Sequence, residues 1–520
     1  MGKSLHISPP PVLGLSIVEE NLLPGVNPNE IMVGGVGDLT NLGFARQFSV
    51  DVGEELDFSC DGDGEIIDLY RMGWYGGQGW AYKGTLDNTP TDQPNPAVIP
   101  NSNNANTCTA WSTTAQWEVP IDATPGFYMG VFRNAALDGA SHIPFVIRND
   151  ARQAEIMLKM ADTTWALAYN YYGTPASPLT GGSFYGSGGP IGAGGIGARV
   201  HAATYHKPII TREGVQNTWN HIEAPLIRYL ERMGYDVNYC ASKDWREGGS
   251  APDLALCNIY IATGHDEYWD QGMRDKWETL RDTGKHLLFM SGNEVFWRTR
   301  FPDDQGDVMW CYKDTMDGPG GHVGGVPLDP VSWTGTWRDT RRPGGPEGEW
   351  HLTGTDFRMN GILDRALVMA PTDPPTDHVF WRNTDVSING INRSAVIGGE
   401  ADELRPMQPV DSYRILAQSV HNIDNNRADD NGESYGNDGD LNWGIVSQRY
   451  TSGSVVVGFG TWQWGWGLDA THDRGSNISN IQMQQATANL LVDLGSLPGT
   501  PFAGITVPTP ASLDEYGLVP

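Results

Sequence analysis

The stretch "CNIYIATGHDEYWDQGMRDKW", Cys257 to Trp277, places an imidazole and two carboxylates at one joint: His265, Asp266 and Glu267 follow directly on Gly264. An imidazole two residues from a carboxylate can share a proton with it or bind a metal beside it. His265 and Glu267 face one centre only if the turn is irregular rather than helical. Two other stretches follow the same plan. "HLLFMSGNEVFWR" sets Asn293 and Glu294 behind a glycine, and "SAVIGGEADE" sets Glu400 behind two. A second group, Tyr169, Tyr171, Tyr172 and Tyr185, lies in "TTWALAYNYYGTPASPLTGGSFYGSGG". These phenols can pack as a loop-rich aromatic cap. They can also ligate a metal, provided it is a hard Lewis acid able to displace a proton of pKa near ~10; ferric iron suits this, whereas zinc more usually attracts His and Cys. Plainer roles stand beside each: Asp266 or Asp270 as a helix N-cap, Asn293 as a turn former, Glu294 solvated or paired with Arg298.

These groups can meet if the elements before them end at one edge. In an open parallel sheet, ligands bind beyond the carboxyl ends of the strands. After Asp150 the pattern fits such a sheet. "WNHIEAPLIRYLERMGYDVNYC" reads as a helix with Ile222, Leu226, Leu230 and Met233 on one face, a stop at Gly234, then a strand. Next come the strand ending at Thr263, a helix presenting Met273, Trp277 and Leu280, a stop at Gly284, and the strand "HLLFMSG". Later strands are expected at "SAVIGG" and "SVVVGFG", with "NIQMQQATANLLVDLG" as closing helix. This predicts an α/β domain over 151–505, built on a doubly wound, mostly parallel sheet, with an irregular insertion near 301–350 and a tail at 506–520. Residues 1–150 instead show short alternating strands between Gly and Asp turns, predicting an immunoglobulin-like β-sandwich.

Bulk properties narrow the function. The chain has 520 residues and a net charge of -29, which excludes nucleic acid and anionic membrane surfaces as partners, since both need a basic footprint. No apolar run reaches membrane-spanning length, so a soluble protein is expected, cytoplasmic unless a signal has been removed. The 5 cysteines include no C-x-x-C pair, arguing against a zinc knuckle; Cys60 and Cys108 are candidates to pair if the protein is exported, and Cys257 reads as a buried thiol.

Taken together and in order, "AYN", "GGSFYG", "GYDV", "GHDEYW", "GNEVFWR", "GEADE" and "WGWGLD" resemble the C-terminal domain of the N,N-dimethylformamidase large (β) subunit family, and "YRMGWYGG" in the β-rich region also fits its relatives. The doubly wound sheet expected is then glutamine-amidotransferase-like. The resemblance implies a mononuclear iron amidohydrolase with iron, expected as ferric, held by two tyrosines and a glutamate. These fall on Tyr185, on Glu267 and on Tyr169, with Tyr171 or Tyr172 as alternatives to the last. Second-sphere residues fall on His265, Asn293 and Glu400. The expected reaction is hydrolysis of a small, formamide-like amide by iron-activated water, with Glu400 as general base and His265 and Asn293 donating to the oxyanion. Zinc held through His265 and Glu267 is the lesser alternative. The family also implies a separate small subunit, and a homo-oligomer is expected; these 520 residues are expected to leave no obvious space for its lectin-like domain, and "YYGTPASPLTGGSFYG" departs from the family's usual wording. The rival reading is a non-catalytic scaffold or carbohydrate binder, in which Trp462, Trp464 and Trp466 would stack on sugars.

Overall fold

The computed structural model describes residues 14–31, 37–134, 140–188, 198–211, 218–249, 253, 255–302, 306–316, 327–361, 364–473 and 478–520. The start of the chain and parts of the insertion near 301–350 lie outside these residues.

The β-rich region forms two sheets. One joins Leu42–Ala45, Glu55–Asp61 and Ala115–Glu118; the other runs in the order Ser49–Asp51, Ala140–Arg148, Gly126–Arg133, Ile66–Met72, Trp80–Asp87. Their alternating strands send Leu56, Phe58, Ile67, Phe132 and Phe145 into a common core. The opposite face of the larger sheet is equally apolar. Its Phe127, Met129 and Val146 join Ile156, Leu158 and Trp165 of the following region in one core. Across that junction Arg71 pairs with Glu231 at 2.6 Å, both fully buried, and Tyr239 donates to the same carboxylate at 2.6 Å. Cys60 and Cys108 are free thiols, and burial pushes Cys60 up to about 12.

The second region is built on a nine-stranded sheet in the order Val237–Cys240, Ile156–Lys159, Ile259–Gly264, His286–Ser291, Val455–Gly458, Asn437–Arg449, Ala401–Leu404, Thr355–Met359, Tyr413–Arg427. Its first five strands are parallel. From Val455–Gly458 onward every pairing is antiparallel. The expected doubly wound, glutamine-amidotransferase-like parallel fold is therefore wrong: strand exceeds helix, 32% against 18%, and the sheets are mixed. The reason is local. Tyr413–Arg427 and Asn437–Arg449 form a long hairpin, and the short link between them cannot make the parallel crossover of a dozen or more residues. "SAVIGG" is not a strand of this sheet either; Ile391–Ile397 pairs with Arg365–Met369 in a separate ribbon.

Between 223 and 291 the main elements come in the expected order, helix Glu223–Arg232, strands Val237–Cys240 and Ile259–Gly264, helix Gln271–Asp282 and strand His286–Ser291. Asp270 caps the helix Gln271–Asp282 by accepting from the Met273 amide at 2.8 Å, while Met273, Trp277 and Leu280 face inward. The helix Ile481–Asp493 is buried along most of its length, and the tail returns to its end, where the Tyr516 hydroxyl donates to Asp493 at 2.8 Å. No helix among the described residues is long and apolar enough to cross a membrane.

Beneath the joint at Gly264 lies Glu223, whose Oε1 accepts from the Ala161 amide at 2.7 Å. Burial pushes its carboxyl up to about 8, so it is protonated in the folded protein at neutral pH. A folded-state value above the unfolded one means stability falls as pH rises from about 4.5 to about 8, by about 1.4 kcal/mol per pH unit. Glu223→Gln should remove that slope. Urea midpoints of both proteins between pH 5 and pH 8 test this, and parallel curves would show that Glu223 ionises normally.

Candidate functional site

The carboxyl ends of three parallel strands converge on one cavity. Gly264 takes φ +75°, in the left-handed region, and ends its strand. The next residues are not helical, and their partners show the side chains parting: His265 and Glu267 turn one way and Asp266 the other. Asp266 binds buried Lys159 at 2.6 Å on the far side, so neither N-cap reading of Asp266 nor a role in the cavity applies to it. Nε2 of His265 lies 3.7 Å from Oε2 of Glu267.

Tyr169 follows a π-helical turn, Thr163–Ala168, at the end of the strand Ile156–Lys159; such turns are frequent at functional sites. Tyr185 sits at the tip of the small ribbon Gly182–Ser183/Gly186–Ser187. The two rings lie 4.8 Å apart, and both hydroxyls reach Glu267. Tyr169 donates to Oε2 at 3.2 Å; Tyr185 donates to Oε1 at 3.0 Å and to Oε2 at 2.9 Å. Nε1 of Trp297 adds a bond to Oε1 at 2.8 Å. Tyr172 points elsewhere, its ring edge-on to Trp111 and its hydroxyl without a partner among the described residues. Tyr171 is buried in the same apolar cluster.

Asn293 adopts φ +50°, which asparagine tolerates better than most residues, and this turns its amide toward Glu400. Nδ2 of Asn293 and Nε2 of His265 both approach Oε2 of Glu400, at 2.6 and 2.7 Å. The expected oxyanion donors are thus directed at Glu400. Glu294 is neither solvated nor bound to Arg298: it is buried, accepts from the Thr355 hydroxyl at 3.1 Å, and is pushed well up by burial and by Asp402. Trp462, Trp464 and Trp466 are buried and cannot offer faces to a sugar. Trp462 instead stands edge-on to His265, at 4.6 Å between rings.

The charges are arranged in two groups. Burial alone would raise Glu400, but the His265 charge and the hydrogen bonds from His265 and Asn293 outweigh it and hold the carboxyl below its ordinary range. Burial alone would lower His265, yet Glu400 and then Glu267 hold it above its usual value. Each of the two groups thus favours the charged form of the other. Around Glu267 the balance is opposite: burial raises the carboxyl against the pull of His265 and Lys313. Burial, then the Glu267 charge, also drives both Tyr169 and Tyr185 well above the normal phenol range. Two phenols and a carboxylate packed together in this way share too few positive charges to ionise together. A trivalent cation among them would reverse that preference, and its hard oxygen donors match ferric iron. His265, Glu267 and Glu400 also offer ligand atoms within 4.8 Å of one another.

Further groups were not identified from sequence. Trp297 and Tyr268 stand inside "GNEVFWR" and "GHDEYW" but carry no spacing signal of their own. Lys313 comes from the irregular insertion. Its Nζ donates to the Tyr268 hydroxyl at 2.8 Å, which lies 2.6 Å from that of Tyr185, and it sits 4.0 Å above the rings of Tyr185 and Trp297.

Gly399, at φ +67°, lets the chain pass Trp462: a Cβ there would lie 1.4 Å from the indole. Gly399→Ala should cost more than about 1 kcal/mol and displace Trp462 from His265, lowering both Tm and turnover. An unchanged Tm would show that the loop relaxes freely.

Residues 66–479 match the family model described as N,N-dimethylformamidase beta subunit-like, C-terminal. A search of curated proteins finds no significant match.

Proposed function

The chain belongs to the N,N-dimethylformamidase beta subunit-like family, coarsely amidohydrolases, and from that premise we propose that it hydrolyses the C–N bond of a small non-peptide amide. The observation that carries this reading is the meeting of Tyr169 and Tyr185 on both oxygens of Glu267, beside the His265–Glu400–Asn293 group. We infer that Tyr169, Tyr185 and Glu267 hold a mononuclear ferric ion, which when bound would polarise the amide carbonyl and acidify a water.

The other tasks belong to the chain. Glu400, whose Oε2 is held by His265 and Asn293, takes a proton at its other oxygen, Oε1, from the attacking water and passes it to the amide nitrogen. As the C–N bond breaks, the oxygen stays with the acyl carbon as a carboxylate, and both protons of the water finish on the amine. Asn293 and His265 fix the direction of the Glu400 carboxylate, and Trp297 fixes Glu267. Aromatic walls from Phe184, Trp297 and Phe357 restrict bulk water in the cavity.

The grouping of His265, Glu267 and Glu400 favours a second reading, in which zinc binds those three. Metal analysis and a visible spectrum on protein purified without added metal separate the two. One iron per chain with a tyrosinate charge-transfer band is expected. Zinc without the band would move the site to the second set, and a chain that takes up no metal and cleaves no small amide would sink both. The family's description as a beta subunit leads us to propose a separate small subunit and a higher-order assembly, to be tested by purification from the native source and mass measurement.

A further inference from the structure

The cavity that holds these groups, of about 210 Å³, also has a cationic wall. Arg199 lines it and is only 1% exposed, yet no carboxylate among the described residues pairs with it. Its Nη2 donates to the Tyr312 carbonyl at 3.0 Å, its Nη1 meets the Met316 sulfur at 3.7 Å, and its Nε has no acceptor among the described residues. Lys313 lines the same space; its hydrogen bond goes to a neutral phenol, and its ammonium rests on aromatic faces. Buried cations are ordinarily paired, because an unpaired one forfeits its hydration with nothing in return. Here the nearby anions are already engaged. Glu400 is matched by His265 at 2.7 Å, and Glu267 can offset at most one of the two remaining cations, none if it serves a metal. Among the groups that line the cavity and their ion-pair partners, positive charge is therefore in surplus whatever occupies its tyrosine end; Asp314, which also acts on Arg199 from outside the lining, is held by the Leu328, Asp329 and Thr334 amides.

We propose that Arg199, supported by Lys313, is an anion subsite, and that the substrate is a small amide carrying a carboxylate, an N-acyl amino acid. This rests on the amidohydrolase reading and narrows it. The guanidinium fork matches a carboxylate in geometry and charge, which a neutral formamide would leave unused. The volume admits a short acyl group and a short amino acid rather than a peptide. With N-formylglycinate, water adds to the formyl carbon and the C–N bond breaks. Formate and zwitterionic glycine result, both water protons ending on the amine nitrogen.

The test compares N-formylglycinate with N-formylglycinamide, a neutral compound of the same size, on the metal-loaded protein, by turnover and by calorimetric binding. A charge-assisted hydrogen-bonded pair predicts about 10- to 100-fold higher kcat/KM and tighter binding for the carboxylate. Arg199→Met should bring the two compounds to near parity. If that chain does not fold, Arg199→Lys, which keeps the charge but loses the fork, should narrow the difference. Equal kcat/KM and equal binding in the unmodified protein would overturn the subsite while leaving the hydrolase standing. Preferential binding of the carboxylate without turnover of either compound would support the subsite and defeat the hydrolase. Binding of neither would overturn the subsite outright.

Discussion

Glu267→Ala is expected to abolish metal binding and, with it, turnover. Four hydrogen bonds from Tyr169, Tyr185 and Trp297 end on the two oxygens of this carboxylate, so it is the centre about which the other donors are arranged. Removing it leaves two phenols whose protons are held tightly by burial and no anion to begin capturing a cation. Losing an outer partner of a metal ligand costs about 10- to 100-fold in affinity or activity. Trp297→Phe should fall in that range, whereas Glu267→Ala should exceed it. The check is metal content and the visible spectrum of each variant after dialysis against chelator. A full equivalent of iron in Glu267→Ala, with its band intact, would remove Glu267 from the ligand set and with it the arrangement proposed around it.

The second large effect concerns Glu400→Gln. Shape and neighbours are retained, since the amide can still lie against His265 and Asn293, but the side chain no longer accepts and returns a proton. Positioned acid–base groups contribute about 10²- to 10⁴-fold, so kcat should fall by that factor while metal content and KM for the amide stay close to their original values. Because His265 Nε2 and Asn293 Nδ2 both bind the same oxygen, Asn293→Ala should reproduce part of this loss by letting Glu400 turn. Unchanged kcat in Glu400→Gln would assign the proton transfers to another group. A loss of metal instead would favour the set in which Glu400 is itself a ligand.

The local grammar of the site is legible in the order of the residues. Two glycine turns after apolar runs announced His265, Glu267 and Asn293, because a strand ending in a tight turn delivers whatever follows it to one edge; Glu400 comes there differently, directly before the antiparallel strand Ala401–Leu404. The same order also sets the helix at 271–282, through Asp270 as cap and Met273, Trp277 and Leu280 at helical spacing. The choice of Tyr169 over Tyr171 and Tyr172 at Glu267 came only with tertiary structure, since neighbouring phenols are chemically alike and a π-helical turn sets which one faces the carboxylate. So did the antiparallel half of the sheet: an apolar strand such as Val455–Gly458 reads the same whether its neighbour runs parallel or antiparallel. Glu294 looked like a surface acid because nothing adjacent to it in sequence reveals Asp402 and Thr355, which enclose it. Lys313 and Arg199 lie in segments with no periodicity, so only the folded chain shows two buried cations beside the carboxylates. Periodicity and turn chemistry act over a few residues and are written in the order of the chain; strand pairing and the meeting of charges join residues far apart, and depend on the packing of the whole molecule.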